Sequence, residues 1–154
     1  MERFCGDLDR IDKSILAVLS HNGRITVTEL AKQVGLSKTP CQIRLKRLMD
    51  EDFIHGFKAK LNPAKMGLEH VCFVEVTLSD TREAALNAFN EAVAQIPEIE
   101  QCHMIAGSFD YLLKIRTADI QNYRRVLGES ISSLPHVANT STHVSMQSVV
   151  DEIT

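Results

Sequence analysis

Two helix starts separated by a single glycine stop constrain this chain more than any other stretch. Thr26-Val27-Thr28-Glu29 fits the pattern S/T-x-x-E, in which hydroxyl and carboxylate each satisfy the other residue's backbone N–H at a helix N-terminus. Leu30, Ala31 and Val34 continue one apolar face, and Gly35 supplies the residue that turns left-handed past a helix end. Ser37 then caps another helix reaching about Glu51, with Pro40 tolerated in its first turn because the missing N–H has no helical partner there. Upstream, Asp9 is a good N-cap for Ile11, Ile15, Leu16 and Leu19, and His21-Asn22-Gly23 ends that helix. The spacing predicts three helices in the first fifty residues, the last two in helix-turn-helix order.

From Phe53 the period changes. Phe53–Leu61 reads as a short extended segment closed by Asn62-Pro63, the expected hinge. Val71–Leu78 has the β-branched and aromatic content of a buried strand. Leu86, Phe89, Val93 and Ile96 share one helical face within Arg82–Ile96, which Pro97 stops. Ile99–Ala106 and Tyr111–Thr117 are strands joined through Gly107-Ser108-Phe109-Asp110, and Asp119–Leu134 is a second amphipathic helix before a strand over Val137–Val150. The fold class is α+β: an N-terminal three-helix (winged) helix-turn-helix over residues 1–52, a linker over 53–63, and a C-terminal βαββαβ ferredoxin-like domain over 64–154. Helices would cover one sheet face. Apolar residues on the other would ask for a partner, most simply a second copy of the chain.

A net charge of −3 conceals an asymmetry. Residues 1–62 carry 11 Lys+Arg against 8 Asp+Glu, net +3, and residues 63–154 carry 6 against 12, net −6. An acidic chain still binds nucleic acid when its cations gather on one face. They gather on the third helix: Ser37 to Arg47 holds Lys38, Arg44, Lys46 and Arg47 and no acid. Cys41, Leu45 and Leu48 form its inward stripe, so Thr39, Gln42, Ile43, Lys46 and Arg47 point outward, with Lys38 and Arg44 at the flanks. Such a helix enters the major groove by its N-terminal part, where the dipole favours phosphate. Lys38, Thr39 and Gln42 are placed for base edges, Lys suiting guanine and Gln adenine. Arg44, Lys46 and Arg47 are placed for phosphates. Ile43 fits either a thymine methyl or packing against the hinge. The expected partner is double-stranded DNA.

Cys5, Cys41, Cys72 and Cys102 lie about thirty residues apart with no C-x-x-C pair, and His21, His55, His70, His103 and His136 show no metal-ligand spacing. No metal or cofactor is expected. No apolar run approaches the roughly 20 residues of a membrane span, and the first residues lack a secretory h-region, so a cytoplasmic, nucleoid-associated location is expected. No nucleophile–base–acid set or phosphate-binding glycine loop is present at motif spacing, which argues against an enzyme.

Leu8-Asp9-Arg10-Ile11-Asp12, Gly23-Arg24-Ile25, Val34-Gly35-Leu36-Ser37, Thr39-Pro40-Cys41, Arg47-Leu48 and Gly107-x-x-Asp110-Tyr111-Leu112 closely resemble the leucine-responsive regulatory protein/AsnC family, from about Asp7 to Val150. The resemblance implies an amino-acid-responsive transcriptional regulator of amino-acid metabolism genes. It also implies a C-terminal sensing and oligomerisation domain, dimers pairing by open sheet faces, and assembly into octamers or larger sets. The implied effector pocket uses Gly107, Ser108 and Asp110 with Met104 beside them. Bare backbone N–H groups there suit a carboxylate, and Asp110 an ammonium. Ser132, His143 and Ser145 stand where close leucine-responsive members carry apolar or aromatic residues, so the resemblance implies a more polar pocket and leaves the effector open between leucine and another amino acid. His143 equally fits an exposed strand position. The alternative reading is an architectural protein that wraps DNA without responding to an effector.

Overall fold

In the computed structural model, which describes residues 8–151, the chain divides into two compact units between Lys60 and Leu61. The first holds helices α1 (Arg10–His21), α2 (Val27–Val34) and α3 (Lys38–Asp50). Asp9 caps α1 by accepting the Asp12 N–H at 2.8 Å, and the Asp12 carboxylate returns the bond to the Asp9 N–H. Thr26 and Glu29 exchange the same pair of bonds at the start of α2. Ile15, Leu30, Ala31, Cys41 and Leu48 form the buried centre.

After α3 the chain returns over its own unit rather than pairing as a strand. The Phe53 and Ile54 N–H groups both reach the Leu48 carbonyl. A Cβ added at Gly23 would stand 3.0 Å from the Phe57 ring, so glycine is what lets that ring lie against the end of α1. The extended segment expected over 53–61 therefore carries no ladder, because this unit offers it no partner strand.

The second unit runs β1 (His70–Leu78), α4 (Glu83–Val93), β2 (Ile99–Met104), β3 (Tyr111–Thr117), α5 (Ile120–Val126) and β4 (Val137–Val144). The antiparallel sheet has the order β2-β3-β1-β4, the βαββαβ arrangement expected. Cys72, Val74, Val76, Leu113 and Ile115 pack with Phe89 and Val93 of α4 and Tyr123 and Val126 of α5. Period-2 alternation sends Val71, Phe73, Glu75, Leu112, Lys114 and Arg116 to the opposite face. That face mixes charge with its apolar residues.

Four expected elements end early, α4 at Val93 rather than Ile96 and β2 at Met104 rather than Ala106 by only two or three residues, the other two by more. The last strand stops at Val144, not Val150, because β1 starts at His70 and leaves no partner past the bond from the Ser145 N–H to the Val71 carbonyl. The helix expected through Leu134 gives way after Val126 to a π turn over Leu127–Ile131. There the Ser132 N–H reaches the Leu127 carbonyl five residues back, a wider turn than the α-helix makes, and Ile131 and Leu134 both reach the core.

Candidate nucleic-acid interface and effector hairpin

The angle between α2 and α3 is fixed at Gly35, which has φ 74° and ψ 32°. The Leu36 N–H reaches back to the Ala31 carbonyl at 2.8 Å and the Gly35 N–H to Lys32 at 3.4 Å, the bond pair of a Schellman stop. Two residues later α3 begins. Ser37 occupies the N-cap position, but its side chain makes no capping bond, so the first-turn N–H groups of α3 stay open to an outside acceptor.

Lys38, Thr39, Gln42, Ile43 and Lys46 are exposed on α3. Ile43 is 65% exposed, which removes packing against the hinge as its explanation. Lys46 pairs with Asp50 one turn along the same helix. Arg44 and Arg47 behave differently: both turn inward to Asp12. An Arg44 N–H meets Asp12 Oδ1 at 2.8 Å and Asp9 Oδ2 at 2.6 Å, and Arg47 meets Asp12 Oδ2 at 2.5 Å. Asp12 is 1% exposed. Burial alone would push its carboxyl upward; hydrogen bonds from Arg44 and Arg47 outweigh that and hold it below the usual carboxylate range. Sequence reading used Asp9 as a cap and overlooked Asp12. The signal was present, since a charged residue on the apolar stripe that includes Ile11 and Ile15 must be paired to be buried.

In the second unit the β2–β3 connection rises above Val76 and Leu78. Asp110 ties it down: its N–H donates to the Val76 carbonyl at 2.9 Å, and its Oδ2 accepts the Leu78 N–H at 2.7 Å. One of its carboxylate oxygens thus serves the fold. Gly107 and Ser108 stand exposed at the tip, and Gly107 is not among the residues with positive φ. Glycine there is not demanded by backbone conformation; what it leaves is bare main chain. Met104, 57% exposed, adjoins this end of the sheet.

The remaining effector candidates lie apart. Ser132 closes the π turn by donating to the Leu127 carbonyl, and the loop after it delivers the chain to Val137 beside Leu78, at the hairpin's end of the sheet. His143 is opposite Phe73 and 3.2 Å from Glu75, and Ser145 bonds Val71. Phe73 and Val76 are three residues apart, about 10 Å along the strand, and β2 and β4 are opposite edges, about 14 Å apart. One chain therefore gathers Met104, Gly107, Ser108 and Asp110 at the β2–β3 connection, and sets Ser132 in the turn after α5 and His143 and Ser145 on and just past β4. A further charged cluster escaped sequence reading: Lys114, on the face away from the helices, is buried and pairs with Glu100 and Asp151, which Arg116 also joins.

A Schellman-stopped helix pair presenting an exposed, acid-free helix N-terminus, followed by a ferredoxin-like domain, defines a helix-turn-helix DNA-binding regulator. Residues 8–55 match the model of a winged helix-turn-helix DNA-binding domain and residues 71–154 that of the Lrp/AsnC ligand binding domain. The chain belongs to the Lrp/AsnC family of transcriptional regulators. It is 66% identical to the proline dehydrogenase transcriptional activator of Rhizobium radiobacter, covering 93% of this chain and 92% of that one. It is 47% identical to the leucine-responsive regulatory protein of Escherichia coli K12, over 93% and 87%. A crystal structure of a Neisseria meningitidis regulator in complex with L-methionine superposes with TM-score 0.87 at 30% identity, covering 94% of each chain. Relatives named as regulators of transcription favour gene regulation over a purely architectural role. No helix among the described residues is long and apolar enough to cross a membrane.

Proposed function

We propose that this regulator activates transcription of a proline dehydrogenase gene and that proline is its effector. The observation that carries the reading is the 66% identity to a proline dehydrogenase activator along nearly the whole chain. A substrate that induces the enzyme degrading it is the simplest logic for such a switch.

On DNA, Lys38, Thr39, Gln42 and Ile43 read base edges in the major groove, while the open first turn of α3 at Ser37 and the Lys46 ammonium meet phosphates. One such helix gives a small interface, so two copies bind with their recognition helices about 34 Å apart. The effector binds at the β2–β3 tip, its carboxylate on the main chain of Gly107 and Ser108 and its ammonium on Asp110. If His143 and Ser145 join this site, a second copy supplies them, in keeping with a homodimer that assembles into an octamer or larger ring. Between them the chain serves as a homo-oligomeric, cytoplasmic DNA-binding protein.

The test joins two measurements. Footprinting on the region upstream of the proline dehydrogenase gene is expected to show protection that outlasts competitor DNA and weakens with salt. A thermal-shift series over the twenty amino acids is expected to rank L-proline first, because ligand at 100 times its Kd stabilises by about 2.7 kcal/mol. Protection no stronger than on unrelated DNA removes the target gene from the reading. A shift with leucine or methionine and none with proline removes the effector.

A further inference from the structure

We infer that Asp12 is a positioning residue for the recognition helix, and that Arg44 and Arg47 are its clamps rather than contacts to DNA phosphate. The geometry comes from two elements distant in sequence. Asp12 lies in the first turn of α1, and both of its carboxylate oxygens are taken by guanidinium groups of α3, at 2.8 and 2.5 Å. Arg44 and Arg47 are three residues apart, so they share a face of α3 and straddle the buried carboxylate together. Asp9 closes the cluster, its Oδ2 accepting from Arg44 at 2.6 Å and its Oδ1 from the Asp12 N–H. The capping box of one helix thereby serves as the docking post of another.

Two acids and two bases cancel, which removes Arg44 and Arg47 from the free positive charge of α3. An arginine that left Asp12 for a phosphate would strand a carboxylate that is 1% exposed and cannot be rehydrated in place. A surface phosphate contact gains less than such a stranded charge loses. The arginines therefore stay on Asp12 when DNA is bound, and their contribution is the angle at which α3 presents Lys38 to Gln42. Planar guanidinium groups on fixed carboxylate oxygens set an angle better than apolar packing alone does.

Salt dependence separates a clamp from a phosphate contact. Each phosphate neutralised contributes about 0.9 to the slope of log K against log salt, and a clamp contributes none. The full-length protein is titrated by fluorescence anisotropy onto a duplex that wild type selects from a random-sequence pool, and onto a scrambled duplex of the same composition, at several salt concentrations. Arg44→Gln and Arg47→Gln are expected to lose about tenfold or more on the selected duplex, the size of one misread base pair. Their slopes should stay at the wild-type value. Asp12→Asn frees Arg47 and leaves Arg44 with Asp9 alone, so its slope steepens by about 0.9 per arginine reaching a phosphate, and the preference for the selected over the scrambled duplex falls. Asp12→Glu, which keeps the charge, recovers part of that preference. Should Asp12→Asn lack the wild-type circular dichroism, the two arginine variants decide alone. The inference is overturned if either arginine variant lowers the slope by about 0.9 while weakening both duplexes in parallel, or if folded Asp12→Asn keeps the wild-type preference.

Discussion

Each unit of this protein holds a cluster of two acids and two bases, and the two clusters bury opposite signs. In the helical unit the acid is inside: Asp12 is sealed, while the Arg44 and Arg47 side chains remain 30% and 40% exposed. On the sheet the bases are inside: the Lys114 side chain is 8% exposed, and its partners Glu100 and Asp151 reach toward solvent. Ion pairs of similar appearance therefore fail in different ways. Removing an exposed partner strands a buried charge, whereas removing the buried member leaves groups that water can solvate.

The largest expected effect comes from stranding Asp12. A variant carrying both Arg44→Gln and Arg47→Gln leaves the Asp12 carboxylate buried without a cation, a loss of about 3 kcal/mol by urea unfolding at neutral pH. The pH dependence should also reverse. In the wild-type protein Asp9 and Asp12 are held below the unfolded carboxylate range, Asp9 by the Asp12 N–H and then Arg44, Asp12 by both arginines against burial. Their contribution to stability is full above the unfolded pKa near 4 and is lost as pH falls through the lower folded value. In the double variant burial is the dominant influence left on Asp12, its pKa rises, and stability should increase as pH falls from 7. Thermal unfolding between pH 4 and 7 checks the sign, and a double variant that weakens on acidification would show that Asp12 is not buried as described.

The sheet cluster gives a smaller loss, with the signs of charge exchanged. Asp151 is held low by the Lys114 ammonium, with Arg116 adding to it against a little desolvation. Asp151→Asn strips Lys114 and Arg116 of one acid but leaves Glu100, so a cost of about 1–2 kcal/mol is expected. A double variant with Glu100→Gln should cost more than the sum of the two single changes, because only then are both cations unpaired. Additive costs would mean that the clusters do not differ in the way their exposures indicate.

Much of this was legible in the sequence, and where legibility stopped is instructive. Capping residues, Gly35 and the change of period after α3 act within a few positions, so the α+β class and the order of its elements followed from local rules. The π turn after Val126 did not, because it answers to where Ile131 must land in the core. The end of β4 did not either, being fixed by the start of β1. The arginines show the limit most clearly. Composition placed Arg44 and Arg47 on a basic helix, but only the fold brings Asp12, 32 and 35 positions earlier, to meet them. At the effector hairpin, the family resemblance grouped seven residues that a single chain places at the β2–β3 connection, in the turn after α5, and on and just past β4.

The smallest expected effect on stability gives the sharpest contrast with Arg47, because it concerns the adjacent residue. Lys46 pairs with Asp50 on the outer surface of α3, with side chains 76% and 61% exposed. An exposed pair one helical turn apart contributes little, so Lys46→Ala should change unfolding stability by no more than about 0.5 kcal/mol. Its effect on DNA runs the other way. The ammonium can leave Asp50 for a phosphate at almost no cost, since both groups are already hydrated. Without it, the salt slope should drop by about 0.9 for each phosphate no longer neutralised. Neighbouring cations would thus exchange roles: replacing Arg47 weakens the fold and spares the slope, replacing Lys46 spares the fold and lowers the slope. Equal slopes for the wild type and Lys46→Ala would mean that charge on this helix reaches phosphate from neither position, leaving Lys38 and the open first turn of α3 to anchor it.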